Sequence, residues 1–180
     1  MLLVVVTLQG CKKQEENLII KNYPGTSELL FNDAKTNRFR VRASFYKDNA
    51  KKVSISFLYA INDLYNREIF ELAGVKLDST NQQKIYIYDR GDVSVPFKPN
   101  RVMSTFSTLS DDGDVGCHLF QVLEKDSLNN WVRITKYNEK TKELSGEFSV
   151  TYIKTEECAT FSYPDTIRIR NGVFHTKIIN

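Results

Sequence analysis

Histidine is scarce in this chain, with two residues in 180, His118 and His175. No metal-ligand spacing joins them. Each falls in a stretch that reads as a strand, where a partly exposed structural histidine is expected. There is no Gly-x-Ser-x-Gly elbow, no phosphate loop and no dinucleotide fingerprint. Carboxylates are plentiful, yet nothing singles out the pair held across a cleft that a glycosidase needs. Catalysis is therefore left without support, and the expectation is a non-enzyme without a cofactor. Strong charge is lacking too. A net charge of +3 with no basic run argues against nucleic acid as a partner, since Lys12-Lys13 is a pair and not a patch. Methionine is sparse at 2, against 9 Tyr and 11 Phe among many Ser, Thr, Val and Ile, a composition of strands and not of helices. With 41% apolar residues the chain can bury one core of ordinary size, so a single domain is expected.

What is present is alternation. In residues 131–153, Trp131, Arg133, Thr135 and Tyr137 point one way and Val132, Ile134 and Lys136 the other. A polar turn over 138–141 follows. The return strand then sets Leu144, Gly146, Phe148, Val150 and Tyr152 on one face and Ser145, Glu147, Ser149 and Thr151 on the other. Gly146 inside this pattern implies a bulge, or a neighbouring aromatic ring lying over the missing side chain.

The same period marks further strands. Phe39, Val41, Ala43 and Phe45 alternate with Arg38, Arg40, Arg42 and Ser44, and Val53, Ile55, Phe57 and Tyr59 follow as a hairpin partner. Residues 68–72 (EIFEL) read as a strand in preference to a helical turn. Residues 84–88 and 93–97 are two more, separated by Asp89-Arg90-Gly91-Asp92; Pro96 and Pro99 make the end of the second an edge or loop. That connection holds the Arg-Gly-Asp tripeptide, which a turn accounts for through its need of Gly and Asp. Residues 102–109 and 117–124 flank Ser110-Asp111-Asp112-Gly113-Asp114. Asp111, Asp112 and Asp114 are a weak Ca²⁺ candidate: their oxygens are hard ligands, but the full calcium-loop spacing is absent and Asp-Gly is also a hairpin signal. Finally, Asn171-Gly172 between residues 166–170 and 173–178 predicts a closing hairpin on a type I′ turn. The expected fold is all-β, one antiparallel β-barrel or β-sandwich of about 8–10 strands built from consecutive hairpins.

The first residues read as an address. Residues 2–8 are apolar but far short of the roughly 20 needed to span a bilayer as a helix. Leu8-Gln9-Gly10-Cys11 follows and resembles the lipobox of bacterial lipoproteins, which implies cleavage before Cys11 and diacylation of that cysteine. Two acyl chains anchor stably where one binds only marginally. Gln at the second lipobox position departs from the commonest pattern. No positive charge precedes Leu2, so the true start is expected upstream. The domain reading is thus 1–10 signal peptide, 11–35 lipidated tether and lead-in, and 36–180 a single β domain. Lipidating Cys11 leaves Cys117 and Cys158, which either form a disulfide in an oxidising compartment or stand as two separate thiols.

Four motifs carry a wider resemblance: Asp112-Gly113-Asp114-Val115, the run from Trp131 to Tyr137, Ser145-Gly146-Glu147-Phe148, and the run from Ile167 to Phe174. Together they make the chain, mainly from residue 102 onward, similar to a family of Bacteroidota envelope lipoproteins without assigned activity. The resemblance implies a lipid-anchored envelope protein of the outer membrane with a β-rich body, and no catalytic residue. Two functions fit. One is an interaction module whose exposed faces and loops contact an envelope protein or a glycan. The other is a lipocalin-like carrier of a small apolar ligand in a closed barrel. They differ in the interior, which is open in a carrier and filled in a module by Phe39, Phe45, Phe57, Trp131, Phe148 and their neighbours.

Overall fold

The computed structural model describes residues 22–46, 49–61, 66–77, 84–89, 101–110, 115–159 and 161–179. Eleven strands make one sheet: β1 (Gly25–Phe31), β2 (Ala34–Thr36), β3 (Arg40–Tyr46), β4 (Asn49–Ile61), β5 (Asn66–Lys76), β6 (Ile85–Asp89), β7 (Val102–Ser110), β8 (Val115–Val122), β9 (Trp131–Tyr137), β10 (Glu143–Glu156) and β11 (Thr166–Lys177). A 3₁₀ segment, Glu124–Asn129, links β8 to β9. The pairings return on themselves, from β1 through β3, β4, β5, β7, β8, β10 and β11 back to β1. Most neighbours in space are neighbours in sequence, as hairpins require. The exception in direction is β6, which runs parallel to β7, with Ile87 opposite Val102. Parallel neighbours need a crossover of a dozen or so residues in place of a tight turn, and residues 90–101 connect these two.

Strand β10 is the hub of the sheet. β10 is paired from Glu143 to Ile153 by β11 on one edge, and on the other by β9 and then β8. Leu144, Gly146, Phe148, Val150 and Tyr152 all face inward and are buried, as their period of two requires. Where β10 changes partner, its backbone is satisfied from the β8–β9 connection. Thr151 N–H donates to Asn130 Oδ1 (2.8 Å), and Leu123 N–H to the Thr151 carbonyl (2.8 Å). Tyr152 buries its phenol in the core, where burial pushes its pKa far up. Ser104 spends its only hydroxyl hydrogen on the Glu71 carbonyl (2.6 Å), so the Tyr152 hydroxyl is the donor to Ser104 Oγ (2.5 Å).

Two phenylalanines and two glycines lock β10 to β11. Gly146 lies opposite Phe174, and Phe148 opposite Gly172. A Cβ at Gly146 would stand 2.5 Å from Phe174 Cζ, and one at Gly172 2.5 Å from Phe148 Cε1. Each ring occupies the space a side chain would need. Gly172 is therefore no turn residue, and the closing hairpin read at Asn171-Gly172 does not exist. β11 runs straight through, and Asn171 (φ 51°) sits in it beside a register shift between Phe148 and Val150 of β10. Gly172→Ala is expected to lower stability by about 2 kcal/mol through overpacking. Since φ at Gly172 lies outside the left-handed region, Phe148→Leu in the same chain should recover part of the loss in urea denaturation.

Other expectations shift for similar reasons. The two-residue turn with positive φ is Asn32-Asp33 (φ 47° and 68°), between β1 and β2. Its Asn32 mimics strand backbone by exchanging hydrogen bonds with Arg168. Residues 25–31 and 34–35, read as part of the tether and lead-in, belong to the sheet, and β1 closes the ring against β11. Its inward residues begin with Gly25 and Ser27, so only Leu29 announces a core face. Trp131 is outward and half-buried, while Val132 and Ile134 take the inner face of β9. Phe45 is only partly buried against the core. Residues 68–72 are strand, inside β5. The strand read at 93–97 lies outside the described residues.

Candidate functional site at the capped end of the sheet

The loop 157–165 between β10 and β11 is tied down at one end of the ring by several bonds. Cys158 is joined by a disulfide to Cys117 of β8, with Cα atoms 4.8 Å apart. Lys154 Nζ reaches Glu157 Oε1 (3.0 Å), Asp165 Oδ1 (2.9 Å) and the Tyr163 carbonyl (2.9 Å). Those hydrogen bonds, Asp165 first, raise its pKa. Tyr163 then turns inward among Phe106, Phe120 and Phe161.

Beneath the loop lies a buried ion pair. Glu68 of β5 is 4% exposed and accepts from Tyr163 Oη on Oε1 (2.6 Å) and from Arg38 Nη2 on Oε2 (2.7 Å). The Arg38 guanidinium rests on the rings of Tyr59 and Phe31, 4.6 and 4.7 Å from their centroids. Burial raises the Glu68 pKa, opposed by the Tyr163 hydrogen bond and by Arg38. Burial first, then the Glu68 charge, pushes the Tyr163 phenol far above its usual range. Both carboxylate oxygens are engaged, so Glu68 ties the loop to β5 through Tyr163 and to Arg38.

His118 completes the cluster. Thr108 Oγ1 accepts from the His118 backbone N–H (3.0 Å) and shares a second hydrogen bond with His118 Nδ1 (2.9 Å). Nε2 faces the Phe161 backbone but makes no hydrogen bond of good geometry. Burial, reinforced by the Lys154 charge, lowers the His118 pKa. As pH falls, the unfolded chain therefore takes up this proton first. The stability His118 contributes is complete above its ordinary value of about 6.5 and is lost as pH drops through the lowered folded value. Denaturation midpoints of wild type should fall relative to His118→Phe across that window, with a slope of at most about 1.4 kcal/mol per pH unit.

The residues singled out in the sequence fare differently. Cys117 and Cys158 meet in the capped end. His118, expected partly exposed, is fully buried, whereas His175 is exposed on β11 and pairs with Ser145 Oγ (2.9 Å). Cys11 and Asp111, Asp112 and Asp114 lie outside the described residues. Glu68 and Tyr163 are not singled out by the sequence, and Arg38 stands in it only as one of three arginines alternating with Phe39 and Val41. Nothing in Arg38, Arg40 and Arg42 distinguishes the one with a buried partner 30 residues away. The available signal was the period of two in EIFEL, which puts Glu68, unlike Glu71, on the face of Phe70 and Leu72.

Compared with protein-family models, curated proteins and solved structures, the chain finds no match. Function must be argued from its own residues.

Proposed function

We propose that this is a bacterial envelope lipoprotein of the Bacteroidota type, acylated at Cys11, whose body is a non-enzymatic binding module working through its outer surface. One observation carries the choice of module over carrier: aromatic rings from facing walls touch across the interior. Phe57 of β4 and Phe148 of β10 have centroids 4.8 Å apart, and Phe106 of β7 and Tyr152 of β10 5.7 Å apart. Phe70 of β5 stacks on Phe57 at 4.2 Å and lies 5.8 Å from Phe148. Filled space of this kind leaves a small apolar ligand no room between those walls.

Native mass spectrometry of the mature protein from its own envelope tests the choice. A bare protein mass is expected, and a reproducible small-molecule adduct overturns the module in favour of the lipocalin-like carrier. Anchoring is tested separately by labelling cells with an alkyne fatty acid. Label is expected on wild type and not on Cys11→Ser, and an unlabelled wild type removes the lipoprotein reading.

A further inference from the structure

β6 carries a face the core does not use. Its inward residues are Ile85 and Ile87, and Lys84, Tyr86 and Tyr88 alternate with them outward. Tyr86 is 49% exposed and lies opposite Trp131 of β9, which also points out. Lys84 Nζ stands 4.1 Å from the Trp131 ring centroid, and Arg101 Cζ 4.3 Å from that of Tyr88. Lys35, Arg38, Arg133, Lys154 and Arg170 each hold a carboxylate, while among the described residues Arg40, Arg42, Lys136, Lys140 and Arg168 hold none. Among the described residues Lys84 and Arg101 hold none, only aromatic rings.

We propose that this face docks on an anionic lipid bilayer. The inference rests on the anchored reading above, because a shallow surface contact gains its effect in a protein already held at a membrane. Tyr and Trp join an apolar ring to a polar tip, which suits the boundary between acyl chains and headgroups. Lys and Arg stems lying on those rings keep their charges outward, where acidic headgroups supply the missing counter-ions. An acidic polysaccharide would satisfy the cations as well. The adjoining 3₁₀ segment favours lipid: it abuts β6, where Ile87 N–H donates to the Asn130 carbonyl (3.0 Å), and Leu128 stands 82% exposed on it. An aliphatic side chain gains from a lipid boundary and little from a sugar.

Trp131 is the sole tryptophan, so its fluorescence reports this face alone. The chain from residue 11 onward with Cys11→Ser keeps every described strand and removes both acylation and the apolar leader. It is mixed with vesicles of phosphatidylcholine and phosphatidylglycerol in equal parts, with phosphatidylcholine alone, and with alginate. Co-sedimentation with the anionic vesicles only is expected, with Trp131 emission moving to shorter wavelength and quenched by brominated lipid. Lys84→Gln with Arg101→Gln should weaken partitioning about thirtyfold, roughly fivefold for each cation. Tyr86→Ser, at an exposed position where folding is little affected, should weaken it as well, and added salt should do the same to wild type. The proposal is overturned if folded protein stays off anionic vesicles at low salt, if it binds them with Trp131 emission unchanged, or if it binds alginate alone. Loss of label at Cys11 would remove the anchor and leave the vesicle result standing, so the two failures are distinguishable.

Discussion

Removing the disulfide by Cys117→Ala with Cys158→Ala is expected to destabilise the protein by about 4 kcal/mol. The bond closes a loop across a sequence separation of 41. The chain-entropy relation gives about 4 kcal/mol for a loop of that size, by restricting the unfolded chain. For a domain of this length the melting temperature should fall by about 8–16 °C. The folded state should lose something too, since Cys158 is one of the ties on the loop 157–165. Amide exchange is therefore expected to rise first at residues 157–165, with β10 and β11 retaining protection. Mass spectrometry after alkylation without reduction supplies the direct check. Free thiols at both positions would remove the bond, and with it this share of stability.

Glu68→Ala should follow at about 3 kcal/mol. Truncating one partner of a buried ion pair strands the other and typically costs about 3–5 kcal/mol. The lower end applies because the Arg38 side chain is 31% exposed and keeps part of its hydration. Tyr163 also loses its acceptor, so the loop should open more readily. A replacement that removes both charges together, Arg38→Met with Glu68→Leu, should be less damaging than Glu68→Leu alone, since no charge is left without a partner. Urea denaturation of wild type, Arg38→Met, Glu68→Leu and the double variant measures this coupling. An additive result would mean that the ion pair does not act as a unit.

The two sites differ in how far they could be read in advance. Counting, once Cys11 is assigned to an acyl group, left Cys117 and Cys158 as a disulfide or as two separate thiols, and the fold joins them. Glu68 and Arg38 are paired by the ring, which brings residues 30 apart in sequence together under a loop. A charge beside apolar neighbours looks the same whether it faces solvent or a guanidinium. The turn at Asn171-Gly172 teaches the converse. Local chemistry there favours a hairpin, and the register of β10 overrides it because the Phe148 ring fills the space above Gly172.

What the amino-acid sequence determined by itself was the period-two alternation, and hence strands, their inner faces and the all-β class. The face of a strand is set by its own side chains, and Leu144, Phe148, Val150 and Tyr152 needed no partner to declare theirs. Tertiary structure alone decided the closure of β1 on β11, the parallel run of β6 on β7 and the burial of Glu68. It also decided which aromatics fill the interior and which, like Tyr86 and Trp131, stay outside. Those outcomes depend on which strand lies alongside and in what register, and a pairing between distant segments leaves no mark in either segment alone.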